Sequence, residues 1–305
     1  MSTTNTLPAN TASQGQERAH RMTHVPRRRL RWGRPIVHLI VVVFMIVWFT
    51  PVLGLFVGSF RTQSDSAATG WWHALIAPLF TGYNYQQALD VIGIGPSLAT
   101  SLAITIPTTV LTTILSAIGA YALTRMAFIG RTVLSLLLVA LLITPPQVTL
   151  VPMLKFFDFT GLNGTVPALW IYEVGFTIPF GIFLVRGFIS SIPGELFESA
   201  HLDGASQLRT FISIVLPLSA PVLASLAIMQ FLWAWNDLLS PLLFLGGSSV
   251  AQPLTVNVAG LVTATGGSQA QLMAATFISV LLPLIILITM QRFFVRGILG
   301  GSVKG

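Results

Sequence analysis

The sequence predicts an all-α integral membrane protein with six transmembrane helices, and three observations carry that prediction. Only 8% of the residues are charged and 53% are hydrophobic, whereas a soluble globular domain carries about 25% charged residues. The apolar runs are long and continuous rather than alternating segments of about ten residues, which selects helices over a barrel. The positive charges collect on the tails and alternate connections, as an even number of spans requires.

Residues 1–35 read as a disordered, basic cytoplasmic tail, rich in Ser, Thr, Asn, Gln and Arg. Residues 36–60 follow with no Asp, Glu, Lys or Arg. At 1.5 Å per residue such a run reaches roughly 37 Å, enough to cross a hydrocarbon core of about 30 Å with some tilt. It is longer than the apolar region of a signal peptide, about 7–15 residues, and reads as an uncleaved span. The connection 61–95 holds Trp71, Trp72, Tyr83 and Tyr85, aromatic residues suited to the headgroup level. A short amphipathic piece lying on the membrane is expected there.

Span 2 covers about 97–123 and contains Pro107. A polar turn at 125–131 leads into span 3, about 132–157, with Pro145 and Pro146 inside it. A Gly161–Asn163–Gly164 turn precedes span 4, about 166–189. Span 5 runs over about 214–245, an uncharged small-residue loop fills 246–271, and span 6 covers about 272–294. Residues 295–305 form a short tail. The prolines of spans 2 to 5 free backbone carbonyls and permit kinks.

Six spans place both termini on one side. That side carries seven basic residues in the first tail, Arg125 and Arg131 in the turn, Arg186 and Arg209 between spans 4 and 5, and Arg292, Arg296 and Lys304 at the end. The other side has only Arg61 and Lys155. The positive-inside rule therefore predicts cytoplasmic termini. The same N-terminal basic run accounts for most of the net charge of +7, and it meets anionic lipid rather than nucleic acid. With no cysteine, thiol catalysis and disulfides are excluded. No internal repeat is visible, which lowers the prospect of a carrier built on inverted halves.

The most unusual stretch lies at 193–221. Glu195, Glu198 and Asp203, three of the nine carboxylates, fall within nine residues of an otherwise apolar chain. Pro193 marks a helix start, and Glu195 and Glu198 sit at its favourable dipole end. Leu196, Phe197 and Ala200 share one face. Gly204 stops the helix and Ser206 caps the next, which runs into span 5. Read from the residues, the stretch (coupling loop 191–212) is a solvated loop, a catalytic cluster of Glu198, His201 and Asp203, or a docking helix. The catalytic reading lacks a pocket and a partner motif. A helix clamped between two spans has the stiffness to transmit a push, and a floppy loop does not.

Glu198–Ser199–Ala200, Asp203–Gly204–Ala205, Leu216–Pro217–Leu218 and Pro221 resemble the EAA loop of bacterial ABC-importer permeases, with Ser199 where the first Ala is usual. Residues 291–297 and 301–305, and Trp235–Asn236–Asp237 within 231–241, are similar to the maltose-type branch, its second, six-span subunit in particular. The resemblance implies a type I importer permease fold and a multi-pass place in the bacterial inner membrane. It implies a second homologous permease subunit and two ATPase subunits, or a homodimer of one, with an extracytoplasmic substrate-binding protein. ATP and Mg would reside on the ATPases; this chain would bind no cofactor and no metal, and the sequence has no Walker-type glycine loop. Carried over, Glu198, Ser199, Ala200, Asp203, Gly204 and Ala205 form the ATPase contact. Gly301, Ser302, Val303, Lys304 and Gly305 reach toward the ATPase interface.

Charges inside membrane spans are costly and point to function. Glu173, beside Tyr172 in span 4, either packs structurally or lines a cavity. Asn236 and Asp237, with Trp233 and Trp235, form either a sugar-handling edge or an interfacial anchor. Tyr172, Glu173, Trp235, Asn236 and Asp237 are therefore the substrate-path candidates, with no catalytic residue expected. The maltose branch implies that sugar contacts come mainly from the partner subunit. The Arg61 step and Gly70–Trp71–Trp72 resemble α-glucoside permeases, implying maltose, trehalose or another α-glucoside as substrate. An ion-coupled secondary transporter, with Glu173 and Asp237 as its relay, is the alternative, and a non-transporting scaffold is a third.

Overall fold

The computed structural model describes residues 33–90, 93–246, 252–264 and 269–302. The expected basic tail lies almost wholly outside the described residues, as do Val303, Lys304 and Gly305. Among the described residues the only strand-like pairing is an isolated bridge between Arg61 and Phe80. The chain divides into two units, Met1–Pro51 and Val52–Gly305.

In the first unit, residues 35–51 lie in helix α1 (Gly33–Ser59) and are exposed throughout, Trp48 at 67% and Leu39 at 63%. An apolar helix uncovered on every side has the character of a segment solvated by lipid.

The second unit begins at Val52. Three short helical pieces fill the connection after α1: α2 (Gln63–Ala68), a 3-10 turn at Trp71–Leu75, and α3 (Tyr83–Asp90). Arg61 is buried here and knits them together. Its guanidinium donates to the Thr69 carbonyl (3.0 Å), the Asp65 carbonyl (2.9 Å) and the Thr69 hydroxyl. Asn84 donates to the carbonyls of Ser59 (2.8 Å) and Arg61 (2.7 Å). A connection expected to lie on the membrane is thus a folded cap with its own buried polar network.

Four long helices form the body: α4 (Ile94–Arg125), α7 (Val166–Ser191), α9 (Gln207–Asn236) and α12 (Gln269–Ser302). The most extensive packing is between α4 and α7, followed by α9 with α12 and with α4. The buried face of α4 is a hydroxyl stripe, Ser97, Ser101, Thr105, Thr108, Thr112 and Ser116, at the three- and four-residue spacing of one helix face. Without a hydrophobic drive between helices in lipid, small residues permit the close approach that gives dispersion energy. The approach is closest at Gly181, where a Cβ would lie 2.1 Å from Ser116 Oγ.

Three expected segments are more broken than a plain apolar run. Span 3 breaks at its proline pair, where α5 (Arg131–Ile143) and α6 (Pro146–Thr160) meet at 105°. Thr144 and Pro145 are extended, and Pro146 opens the second helix, where its missing N–H costs nothing. Span 5 does not continue to 245. Helix α9 ends at Asn236, and a separate α10 (Leu239–Phe244) follows. The loop at 246–271 contains a helix, α11 (Leu254–Ala264), which packs on α12 and α4.

Candidate translocation cavity and coupling surface

Two sites emerge from this framework, at opposite ends of α7 and α9. At one end α7 stops at Ser191, and Pro193 caps α8 (Gly194–Leu202). Helix α8 ends in a Schellman arrangement: Gly204 N donates to the His201 carbonyl (3.0 Å) and Ala205 N to the Ala200 carbonyl (2.9 Å). Gly204 adopts φ +72°, the left-handed conformation that the motif requires. Ser206 then caps α9, its hydroxyl accepting from Arg209 N at 3.3 Å. The first turn of α9 leads into a π-helical turn at Phe211–Val215, before Leu216 and Pro217. The helix–glycine–helix pattern expected from sequence is therefore present in detail.

Glu198, Ser199, Asp203 and Gly204 are exposed, and Ala205 is half-buried. Ala200 is buried within the chain, at 8% exposed. The most exposed apolar residues of the stretch are Leu202, 87%, and Leu208, 67%. Leu202 directly precedes Asp203, and neither leucine was singled out by sequence.

The seating of α8 involves a third helix. Arg125, the last residue of α4, places its guanidinium 4.0 Å from the Phe197 ring centroid. The same group donates to the carbonyls of Ile189 (3.1 Å) and Ile192 (2.7 Å), at the C-terminus of α7. A cation at that end also meets the negative pole of the helix dipole. One turn back, Tyr121 Oη donates to Gln207 Oε1 at 2.6 Å. Arg125 and Tyr121 thus bind α4 to both helices flanking Gly204. Sequence reading counted Arg125 only as a positive charge. Its spacing of four from Tyr121, on one helix face, was the available signal.

At the other end lies a cavity of about 480 Å³ between α6, α7, α9 and α10. Glu173, Gln230, Trp233, Asn236 and Asp237 line it, with Tyr172 and Phe176. The sharp α5–α6 bend forms one wall through Pro146, whose carbonyl accepts from Tyr172 Oη at 3.0 Å. The Tyr172 ring packs against Phe176 and Phe244, with centroids 5.1 and 5.0 Å away. Trp233 meets Phe180 edge-on at 5.1 Å.

Glu173 is 7% exposed and Gln230 1% exposed, and the Oε1 atom of each has no hydrogen-bond partner. Such groups carry a desolvation cost unless a partner arrives from outside the chain. Asp237 sits between α9 and α10, its Oδ1 accepting from Leu239 N (3.1 Å) and Ser240 N (3.4 Å), as a cap on α10. Asn236 donates to the Leu232 carbonyl at 2.7 Å.

Four of the five residues proposed from sequence for this region, Tyr172, Glu173, Asn236 and Asp237, share the cavity wall. Trp235 does not. It is 2% exposed, stacks on Phe231 and donates to the Ser279 carbonyl of α12 at 3.0 Å. Helical phase explains the exchange, because Trp233 and Trp235 are about 200° apart around α9, so only one can face the cavity. Gln230, the one carboxamide between Ile214 and Trp235, was passed over. Gly301 and Ser302 terminate α12.

Residues 113–300, which include α8, the glycine hinge and most of the cavity wall, match the family described as binding-protein-dependent transport system inner membrane component. The chain is 39% identical to the osmoprotective compounds uptake permease protein GgtD of Synechocystis, over 94% of its own length and 98% of that protein's. It is 41% identical to the α-glucoside transport system permease protein AglG of Rhizobium meliloti, over 81% of its length and 68% of that protein's. Among solved structures, a chain of a bacterial ABC transporter that imports the acidic polysaccharide alginate has a TM-score of 0.64 at 14% identity, covering 87% of this chain and 96% of its own. The bent span, the helix–glycine–helix stretch and the long-helix body are therefore those of an ABC-importer permease, and the chain belongs to the family of inner-membrane components of binding-protein-dependent transport systems.

Proposed function

We propose that the chain is one permease subunit of an ATP-driven importer for a di- or oligosaccharide of the α-glucoside class, such as maltose or trehalose. Support for the sugar comes from the names of relatives. AglG is an α-glucoside permease, and a 34% identical protein of Thermococcus litoralis is a trehalose/maltose permease. A binding protein as donor of substrate is supported by the alginate transporter, solved with a pentasaccharide-bound periplasmic protein. Two partner ATPases, or a homodimer of one, would carry ATP and Mg, and a second permease subunit would complete the pathway. Both termini would lie in the cytoplasm, on the charge asymmetry of the connections.

The observation that carries the mechanism is the clamping of α8 from three helices. An ATPase gripping the acidic surface at Glu198, Ser199, Asp203 and Gly204, with Leu202 and Leu208, would move α8 as the nucleotide-binding subunits close. Arg125 and Tyr121 would pass that movement to α4, and chain continuity would pass it to α7 and α9. The far ends of α7 and α9 wall the cavity, so a tilt of either changes its opening. Alternating access would follow from a rigid rearrangement of this kind. The terminal residues Gly301 to Gly305 would extend toward the ATPases.

A carrier working alone, with Glu173 and Asp237 as an ion relay, would need no α8 of this kind, and Asp237 is engaged as a helix cap. The test is purification from native membranes followed by reconstitution. The preparation is expected to contain an ATPase and a second permease, and to take up maltose or trehalose only with ATP and the binding protein. Uptake by the isolated chain without ATP would refute the proposal.

A further inference from the structure

The cavity of about 480 Å³ is within the size range of small-ligand sites, about 300–1,000 Å³. Its chemistry is uneven in an informative way. The polar atoms left without partners are both acceptors, Glu173 Oε1 and Gln230 Oε1, on side chains more than nine-tenths buried. The rest of the wall combines the rings of Tyr172, Phe176 and Trp233 with aliphatic side chains and the polar Gln147, Thr177, Asn236 and Ser240. Asp237 adds a second carboxylate whose Oδ1 is held by the α10 backbone. Among the described residues no Lys or Arg lines the cavity.

A ligand completing this site must donate hydrogen bonds to two buried oxygens while presenting an apolar face to aromatic rings. A pyranose does both, through vicinal hydroxyls and the C–H face of its ring. An anionic sugar would donate equally well but would bring a negative charge beside the Asp237 carboxylate, where among the described residues no Lys or Arg of the lining offsets it.

We propose that this subunit carries its own substrate-contact site, in which Glu173 and Gln230 accept hydroxyl hydrogens from a neutral sugar stacked on Trp233, and that the site excludes acidic sugars. The inference rests on the reading of the chain as a glucoside importer. It differs from the expectation that sugar contacts belong mainly to the partner permease. The site sits where α7 and α9 meet the α5–α6 bend, so the walls that the coupling helix would move are also those that hold the sugar.

The test uses the complex purified with its native partners but stripped of the binding protein. Equilibrium dialysis with labelled maltose and trehalose, and with maltobionate as the acidic counterpart, measures retention directly. The unmodified complex should hold a neutral disaccharide and not maltobionate. Glu173→Leu should weaken neutral-sugar binding by roughly two- to tenfold, the net loss expected for one hydrogen bond, and Asp237→Asn should admit maltobionate. Gln230→Leu should weaken sugar binding without admitting the acid. Unchanged binding in both leucine variants, or unchanged discrimination in Asp237→Asn, would overturn the proposal. So would loss of the second permease from the Glu173→Leu complex, since Glu173 would then be a subunit contact. Preferential retention of glycine betaine, a zwitterion with no hydrogen to donate, would overturn it as well. A parallel uptake assay on the unmodified complex with its binding protein separates this result from the broader reading, which fails if neither sugar is imported.

Discussion

Arg125 holds three things at once: the Phe197 ring, and the carbonyls of Ile189 and Ile192. Charge-assisted hydrogen bonds contribute about 1.5–3 kcal/mol each and a cation–π contact about 0.5–2 kcal/mol. Replacing Arg125 by Ala should therefore loosen α8 by on the order of 3 kcal/mol while leaving the long helices packed. The expected outcome is sharply reduced transport with normal recovery of the permease in the membrane fraction. Arg125→Lys retains the charge but not the planar fork, and should recover only part of the activity. Gly204 is a second sensitive residue because its φ of +72° suits no branched side chain. Gly204→Pro, with φ fixed near −65°, should break the hinge, and Asp203→Lys should reverse the charge offered to the ATPase. Both are expected to lose ATPase association, measured by co-purification, with the membrane part still folded. Glu198, Asp203 and Gly204 were legible because a charged island and a glycine stop stand out against an apolar background. Trp235, which is buried away from the cavity wall, was not distinguishable from Trp233 because composition gives a residue's character but not its phase around a helix apolar on all sides.

At the scale of elements, the contact between α4 and α7 is set by small residues. Gly181→Val would drive its side chain into Ser116 Oγ and Leu226 Cδ2, which lie 2.1 and 3.1 Å from the position of a Cβ. Overpacking of this kind costs typically 1–3 kcal/mol, so the thermal midpoint of the solubilised complex should fall. Adding Ser116→Gly should restore part of the loss, a coupling that a double-mutant cycle would read. The spans themselves were legible from apolar runs and from the charges between them. The 105° bend was not. Pro145 and Pro146 announced a break, but its angle depends on packing, including the bond from Tyr172 Oη to the Pro146 carbonyl. The end of α9 at Asn236 was hidden because the apolar pattern continues through residues 238–245. The helix α11 was hidden because small uncharged residues also read as loop.

At the scale of the whole molecule, the second unit connects the α8 handle to a cavity at the other end of the same helices, α7 and α9. The fold was legible because a bilayer admits few solutions and the charge asymmetry chooses among them. The cavity was only partly legible, because it joins two pairs of consecutive helices, α6 with α7 and α9 with α10, that lie apart in sequence. Handle and cavity together define the central claim, that movement of α8 reaches the cavity through α4, α7 and α9. The absence of cysteine allows spin labels to be placed without background. Val148 on α6 and Leu239 on α10 are exposed and suit a Val148→Cys, Leu239→Cys pair. The decisive measurement is the distance between these labels in the assembled complex, with and without Mg-ATP, by double electron–electron resonance. The account predicts an ATP-dependent shift in the pair that is lost when Arg125→Ala is added. An equal shift with and without Arg125 would contradict it.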